Sequence, residues 1–371
     1  MQMNNEICHS ERSEESPAKD SSSQAPRNDR INLSQAAAFL LQHDDYLILT
    51  HRRPDGDTVG SAAALCRALR SLGKTAWIYE NPQFTPKFAP YLNGLVGAVT
   101  GHPQKPPLLA GEGDRAAVEG LPPSGTAPII VSVDIASKTL FPFGMEDAAV
   151  DLAIDHHGTN AGFAARTFVD ADRAACGEII WSLLKLLDVS PDKAIAEAIY
   201  VAVSTDTGCF RYSNVTAGTL RVAADCVACG AEIYPINRAM FEIKSWARLR
   251  LEGYLVQTME FFRDGLVAVC AIPEEIMQSY GLTEDDVDSI SAFPRNIEGV
   301  KIGVLLRQVE GGAGKISVRT SPQYDASAIC ARMGGGGHAA AAGATVPGGI
   351  TAAKAAVLKA IDEEMKPLLR R

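Results

Sequence analysis

The chain has 371 residues, of which 46% are hydrophobic and 21% are charged, and this balance is typical of folded globular proteins rather than disordered chains. The length accommodates about two domains. The net charge of −9 is unfavourable for a protein that grips long nucleic acid through a basic surface, so we expect any nucleotide substrate to be short.

The sequence contains no apolar run that approaches the ~20 residues needed to cross a bilayer. The N-terminus also lacks the basic segment followed by an apolar stretch that marks a secretory signal. We therefore expect a cytoplasmic protein that does not bind membranes. Cys226 and Cys229 form the only C-x-x-C pair, and without a second pair they do not indicate a zinc site.

The first part of the chain has the pattern of an α/β domain. Residues 1–30 are polar and rich in serine and charge, which predicts a disordered tail. Apolar strand-like runs and amphipathic helices then alternate over residues 31–235, which predicts a mostly parallel sheet flanked by helices. The predicted strands are Tyr46–Thr50, Thr75–Tyr79, Pro128–Val133 and Ala149–Ile154. The predicted helices are Ser61–Leu72, Cys176–Leu187, Pro191–Ser204 and Thr216–Cys229, and Thr100–Ser124 is a predicted surface loop.

The pattern changes after about residue 236. One long charged helix is predicted over Arg238–Phe262, so that residues 236–260 form a helical linker. Residues 261–371 are then a smaller C-terminal α/β domain. Its predicted elements are the strands Leu266–Ala271, Lys301–Leu306 and Lys315–Arg319 and the helix Ile350–Leu369.

Acids and histidines cluster where apolar segments of the first domain end. They are His51, Asp55, Asp57, Asp134, Asp155, His156, His157 and Asp206. Because the carboxyl ends of strands form the ligand crevice of an open α/β sheet, we expect these side chains to meet at one edge. A strand-end aspartate is also a common helix cap, but capping does not explain so many acids and histidines together.

Carboxylates that meet in one place repel each other unless a cation compensates them. Aspartate and histidine without cysteine suit Mn²⁺, Mg²⁺ or Zn²⁺. Six ligands predict two metal ions roughly 3.5–4 Å apart, the arrangement that activates water against a phosphate ester. The six are His51, Asp55, Asp57, Asp134, His156 and Asp206, and Asp134 is the candidate for a carboxylate that bridges both ions.

A glycine tract lies in the second domain. Gly334–Gly337 have no Cβ, so their backbone N–H groups can approach an anion closely. Arg319 and His338 would add charged hydrogen bonds to a phosphate. The alternative is a flexible linker, but the small side chains of Ala339–Ala342 favour tight packing instead.

These motifs resemble those of the DHH phosphoesterase superfamily. The first motif resembles His51-Arg-Arg-Pro-Asp55-Gly-Asp57, the second contains Asp134, and the third is Asp155-His156-His157. The fourth resembles Ser204-Thr-Asp206-Thr-Gly208-Cys-Phe210-Arg211, and Gly335-Gly336-Gly337-His338 resembles the signature of the C-terminal DHH-associated domain. The resemblance runs from about residue 34 to the C-terminus.

The resemblance implies a role for each motif residue. His51 and Asp55 would bind one metal ion, Asp57, His156 and Asp206 the other, and Asp134 both. His157 would act beside the scissile phosphate, and Asp155 would orient a histidine. Substrate would be bound by Arg211, Arg319, Gly335, Gly336, Gly337 and His338.

Size and motif content narrow the resemblance to the stand-alone two-domain type. Such proteins are oligoribonucleases of very short RNA (nanoRNases) that also remove the 3′-phosphate of pAp, with two divalent ions, most often Mn²⁺ but also Mg²⁺ or Co²⁺. By this resemblance the first domain cuts and the second holds the substrate across a cleft. A linear or cyclic dinucleotide phosphodiesterase is the alternative within the family, and a catalytically silent nucleotide sensor is the alternative outside it. General frequencies favour a homodimer.

Overall fold

The computed structural model describes residues 29–97 and 127–366. The predicted tail, apart from its last two residues, and the predicted loop Thr100–Ser124 lie outside the described residues. The chain divides into two compact units, Met1–Met240 and Phe241–Arg371. None of the helices described here is both long and apolar enough to cross a membrane.

The N-terminal unit alternates strands and helices, as predicted. Its strands are β1 Asp29–Arg30, β2 Tyr46–Leu49, β3 Ala76–Tyr79, β4 Val96–Gly97, β5 Ile129–Val133, β6 Leu152–Asp155 and β7 Arg166–Val169. Its helices are α1 Leu33–Gln42, α2 Gly56–Ser71, α3 Ala89–Leu92, α4 Cys176–Leu186, α5 Lys193–Asp206, α6 Ala217–Ala228 and α7 Ile233–Asn237.

The seven strands form one sheet in the order β1-β7-β6-β5-β2-β3-β4. All of their pairings are parallel, so the predicted fold class is confirmed. The chain leaves β2 towards β3 on one side and returns through β5 on the other. The crevice beyond the carboxyl ends of β2 and β5 is therefore the topological switch point where ligands bind in such sheets.

Alternate residues of the central strands serve two separate cores. Tyr46 and Ile48 of β2 face a large cluster built with the helices, whereas Leu47 and Leu49 face a smaller one. Among the described residues, that second cluster is completed by irregular chain, with Phe141 and Val150 as buried members, rather than by a helix. Apolar residues on both faces explain why β2 reads as a continuous hydrophobic run.

The C-terminal unit has the following elements. The strands are β8 Glu260–Phe262, β9 Val267–Ile272, β10 Ile302–Val309, β11 Ala313–Thr320, β12 Gly336–His338 and β13 Ala341–Val346. The helices are α8 Trp246–Thr258, α9 Glu274–Tyr280, α10 Glu284–Asp288, α11 Ala326–Ala331 and α12 Gly349–Met365, with a 3₁₀ segment at Ser289–Asn296. The sheet order is β12-β13-β11-β10-β9-β8, and only β9 and β10 pair in parallel.

The long helix predicted over Arg238–Phe262 is wrong. The chain forms a π-helical turn at Arg238–Glu242, breaks, and starts α8 at Trp246. Ser245 causes the restart, because its side chain accepts a hydrogen bond from the backbone N–H of Arg248 at 2.9 Å and so caps the new helix. The end of the predicted helix is instead strand β8, which pairs with β9.

Candidate metal centre and substrate face

The ends of three strands and two helices, α2 and α5, supply the clustered acids and histidines of the N-terminal unit. His51 follows β2, Asp134 follows β5, and Asp155 is the last residue of β6. Asp206 comes from elsewhere, since it is the last residue of α5. The predicted strand-end cluster therefore forms, with one member delivered by the C-terminus of a helix.

The ligand atoms of the cluster fall into three groups within which every atom lies within 4.8 Å of the others. The groups are His51, Asp55 and Asp134; Asp57, His156 and Asp206; and Asp134, His156 and His157. Asp134 belongs to two groups because its oxygens lie towards different histidines. Its Oδ2 is 3.7 Å from His51 Nε2, and its Oδ1 is 3.4 Å from His156 Nε2.

The chemistry of this cluster fits divalent cations. Asp134 Oδ1 is buried and accepts no hydrogen bond of good geometry, and such an orphaned buried oxygen needs a compensating partner. Burial and the nearby Asp57 carboxylate raise the pKa of Asp134 well above its usual range. Burial and the nearby Asp206 carboxylate do the same to the pKa of Asp57. Cations are the partners that would let these carboxylates ionise together.

The same carboxylates stabilise the protonated form of His156 and so raise its pKa. Burial alone would lower its pKa, but Asp134 and Asp57, with Asp206 3.6 Å away, raise that pKa to about 10. Its Nδ1 lies 3.2 Å from the backbone carbonyl of Arg173. If Nδ1 donates to that carbonyl, Nε2 is the free atom and points at three carboxylates, as in many metal-binding histidines.

Two of the aspartates are helix caps as well as candidate ligands. Asp55 accepts from the backbone N–H groups of Asp57 and Thr58 at 3.0 and 3.1 Å, which starts α2 five residues before the predicted Ser61. Asp57 accepts from the backbone N–H groups of Cys176 at 2.6 Å and Gly177 at 2.9 Å, which caps α4. Capping and metal binding are therefore compatible, because a carboxylate has more than two acceptor positions.

Close packing of α2 and α5 brings Asp206 to the cluster. A Cβ built on Gly60 would lie 2.3 Å from the carbonyl oxygen of Ala198 and 2.8 Å from the backbone nitrogen of Ala202. Only glycine permits this contact between the two helices. Since α5 ends at Asp206, this contact sets how far that carboxylate reaches towards Asp57.

Asp155 holds His157 in place through one ring nitrogen. His157 Nδ1 lies 2.8 Å from Asp155 Oδ1, and this contact lowers the pKa of Asp155 although burial opposes the shift. Asn160 donates to the other oxygen of Asp155 at 2.6 Å and to the carbonyl of Ile135 at 3.1 Å. Asn160 is not among the predicted site residues, and its only sequence signal is its place five residues after Asp155.

Arg211 follows Asp206 on an unusual turn. Gly208, Cys209 and Phe210 all have positive φ angles, between 56° and 61°. Arg211 itself is exposed and donates from Nε to the carbonyl of Gly208. The turn thus places this guanidinium at the same end of α5 as Asp206.

The glycine tract of the C-terminal unit is a strand rather than a linker. Gly336–His338 form β12, which pairs with β13. Gly337 has a φ of 146°, and a Cβ there would lie 2.6 Å from the carbonyl oxygen of Ala341. The predicted tight packing of Ala339–Ala342 is wrong for the first half of the segment, because Ala339 and Ala340 are exposed, whereas Ala341 is half-buried and Ala342 is buried. The hairpin turn, not a core, occupies the two exposed positions.

His338 and Arg319 lie in one cross-strand row. The register pairs His338 with Ala341, Ala341 with Arg319, and Arg319 with Gly303. Directly opposed residues of antiparallel strands project to the same face. The neighbouring Val318 and Ala342 face the core under α11 and α12, so the row lies on the opposite face. We call this row, from His338 to Gly303, the basic row.

Two further polar groups, neither of them among the predicted site residues, meet the basic row from the 3₁₀ segment Ser289–Asn296. Arg319 donates to Ser291 Oγ at 2.9 Å. Arg295 donates to Ser321 Oγ at 3.3 Å. No periodic pattern marks these residues, because an irregular segment carries them. Arg307 of β10 instead binds Glu284 at 2.9 and 3.0 Å.

Comparison with known proteins identifies the family. A model described as the DHH family N-terminal domain matches residues 45–203, and the DHHA1 domain model matches residues 264–367. A Thermus thermophilus protein named bifunctional oligoribonuclease and PAP phosphatase NrnA is 34% identical over 86% of this chain and 89% of its own. The chain belongs to the DHH family. The family resemblance of its motifs is thereby confirmed, and both DHH-family domains occur in the expected order.

More distant relatives align over most of this chain as well. The Bacillus subtilis protein of the same name is 23% identical over 82% of this chain and 90% of its own. The cyclic-di-AMP phosphodiesterase PdeA of Listeria monocytogenes is 22% identical over 82% of this chain but only 45% of its own. A crystal structure of an exopolyphosphatase-related protein from Bacteroides fragilis shares the fold, with a TM-score of 0.75, 23% identity and coverage of 91% and 97%.

Proposed function

We propose that this chain is a divalent-metal-dependent phosphoesterase that hydrolyses very short oligoribonucleotides to mononucleotides and removes the 3′-phosphate of pAp. The observation that carries the proposal is the cluster in which Asp134 lies between His51 and His156. The names of the Thermus and Bacillus relatives, which align along nearly their whole length, support the choice of substrate.

Six side chains would hold the metal ions, which we propose to be Mn²⁺. His51 and Asp55 would bind one ion, Asp57, His156 and Asp206 the other, and Asp134 both, in keeping with the groups that the fold brings together. Two ions bound there would neutralise phosphate charge and activate water. The hydrogen bonds from Cys176 and Gly177 hold the Asp57 carboxylate in one orientation before any ion arrives.

His157 would act on the phosphate itself. Asp155 contacts its Nδ1, so Nε2 is the atom left for a phosphate oxygen. When both ring nitrogens carry a proton, an imidazole can donate from Nε2 to an anionic oxygen. Arg211 would add a second positive charge on the Asp206 side of the same unit.

The C-terminal unit would bind the part of the substrate that is not cleaved. Arg319 and His338 project from one face, and Gly335–Gly337 carry no side chains that would block a phosphate there. A local basic row of this kind is sufficient for a substrate with few phosphates, which agrees with the net charge of −9.

Product analysis tests the proposal. Labelled oligoribonucleotides of graded length and pAp would be incubated with the full chain and Mn²⁺, Mg²⁺ or Co²⁺, with Asp134→Asn as the control. We expect mononucleotides from the shortest RNAs, AMP from pAp, and neither product from the variant. Absence of both products with every metal would contradict the proposal and favour a silent nucleotide-binding protein.

The match to PdeA over 82% of this chain supports a second candidate, a linear or cyclic dinucleotide phosphodiesterase. The same assay distinguishes the two functions when pApA and cyclic di-AMP are added as substrates. A higher kcat/KM for either dinucleotide than for short RNA and pAp would favour this candidate.

A further inference from the structure

Arg295 lies over the basic row although it belongs to a different element. A Cβ built on Gly303 would lie 2.6 Å from the backbone nitrogen of Arg295 and 2.8 Å from its Cβ. Gly303 is the register partner of Arg319. Glycine at position 303 therefore creates the space in which Arg295 sits against the same face as Arg319 and His338.

The Arg295 side chain donates to a neutral hydroxyl. Its Nη1 donates to Ser321 Oγ at 3.3 Å, and among the described side chains no carboxylate lies within ion-pair distance. Arg263, Arg307 and Arg332 of the same unit each contact a carboxylate instead. A guanidinium held by one hydroxyl keeps most of its positive charge available for an anion.

The face beside Arg295 and Arg319 is open. Gly336 and His338 are exposed, and a Cβ built on Gly336 meets no atom within 4 Å. Ala341, between His338 and Arg319, has the smallest side chain other than glycine. Strands are about 4.8 Å apart, so Arg319 and the arginine above Gly303 start from neighbouring positions on the same face.

We propose that Arg295 is a substrate-binding residue that joins Arg319 in binding a nucleotide phosphate on the C-terminal unit. This inference rests on the proposed function and adds a residue that neither the motifs nor the strand pattern indicates. Two serines hold the guanidiniums in place: Arg319 donates to Ser291 of the 3₁₀ segment, and Arg295 donates to Ser321, directly after β11. The site takes a phosphate monoester or diester, and the nucleoside contributes little to this contact.

The competing explanation is that Arg295 only fastens the 3₁₀ segment to β11 through Ser321. The two roles differ in what they respond to. A fastening role predicts loss of thermal stability and equal effects on all ligands. A phosphate-binding role predicts weaker binding of ligands that carry a phosphate and no change for ligands without one.

The experiment measures binding of 5′-AMP and of adenosine to the full chain by calorimetry, in chelator. In chelator the carboxylate cluster of the N-terminal unit has no cations with which to bind a phosphate, so that cluster does not mask the phosphate contact. Arg295→Ala should weaken AMP binding by about 10-fold or more, the usual effect of one charged hydrogen bond. Adenosine binding and the melting temperature should not change. With metal present, the same variant should raise KM for a dinucleotide and leave kcat near that of the parent chain.

Two further variants decide between the roles. Arg263→Ala is the matched control, because that arginine binds Asp362 with two hydrogen bonds of 2.6 Å; it should leave AMP binding unchanged. Ser321→Ala removes only the fastening contact.

If Arg295→Ala and Ser321→Ala lower the melting temperature equally and weaken the binding of AMP and adenosine alike, the proposal is overturned. If the parent chain binds AMP and hydrolyses short RNA but Arg295→Ala matches it, Arg295 is excluded while the proposed function stands. A parent chain that neither binds AMP nor hydrolyses RNA overturns both.

Discussion

Asp134 combines three unfavourable features in one residue. Its backbone is left-handed, with a φ of 58°, its carboxylate is buried, and one oxygen of that carboxylate has no hydrogen-bond partner. Residues held in this region of φ and ψ cost of order 1–3 kcal/mol each and concentrate at functional sites. The surrounding strands tolerate the cost because β5 is paired on both sides.

The hydrogen bond between Asp155 and His157 has a testable consequence for turnover. Asp155→Asn should lower kcat by about 10–100-fold, as loss of the partner that orients a histidine usually does. The change should leave metal stoichiometry intact, because Asp155 belongs to none of the three ligand groups. His157→Ala should cause a similar or larger fall, and the double variant should be no worse than His157→Ala. Additive losses would show that the two residues act separately.

His156 predicts how the metal-free protein responds to pH. Its pKa rises from 6.5 in the unfolded chain to about 10 in the fold, so its stabilising effect is complete below pH 6.5 and is lost as the pH rises towards 10. The raised pKa values of Asp57 and Asp134 act in the same direction. We expect the melting temperature in chelator to fall over this range, and to fall less steeply for His156→Gln. Equal slopes for the two proteins would contradict this assignment.

At the scale of elements, the hairpin β12–β13 is the part of the fold that depends most on glycine. Gly337→Ala should destabilise the C-terminal unit by more than about 1 kcal/mol, because the new Cβ meets the Ala341 carbonyl and the backbone has a φ of 146°. Gly336→Ala is the matched control, since its Cβ meets nothing within 4 Å. Chemical denaturation of both variants checks this, and equal free energies of unfolding would refute the steric argument.

Element boundaries were least predictable where a side chain caps a helix. The predicted start of α2 at Ser61 is late because Asp55 starts the helix at Gly56. The predicted helix Arg238–Phe262 is wrong because Ser245 starts a new helix within it. In both places hydrophobic periodicity carries no signal for the cap, since the cap is a single polar residue outside the apolar stripe.

At the scale of the whole molecule, metal binding should increase the free energy of unfolding. An ion that binds only the folded state at 1,000 times its Kd adds about 4.1 kcal/mol. Mn²⁺ should therefore raise the melting temperature of the chelator-treated protein. Asp134→Ala should abolish most of this shift, because Asp134 belongs to two ligand groups, and Arg263→Ala should keep it. A full shift in the Asp134 variant would place the metal ions elsewhere.

The amino-acid order by itself determined the fold class of the N-terminal unit and the candidate ligands. Short apolar runs that alternate with amphipathic helices allow few arrangements other than a covered parallel sheet. Acids and histidines just after such runs must then collect at one edge. Both conclusions depend on local patterns, which a single sequence displays.

The tertiary structure alone decided how the groups meet. It placed Asp57 at the N-terminus of α4, 119 residues later in the chain, and Asp206 beside it through the contact between α2 and α5. It also placed Arg295 over Gly303, next to Arg319. These contacts join residues that are far apart in the chain, and they depend on close approach of two backbones. Hydrophobic periodicity does not predict which glycine leaves space for which neighbouring residue.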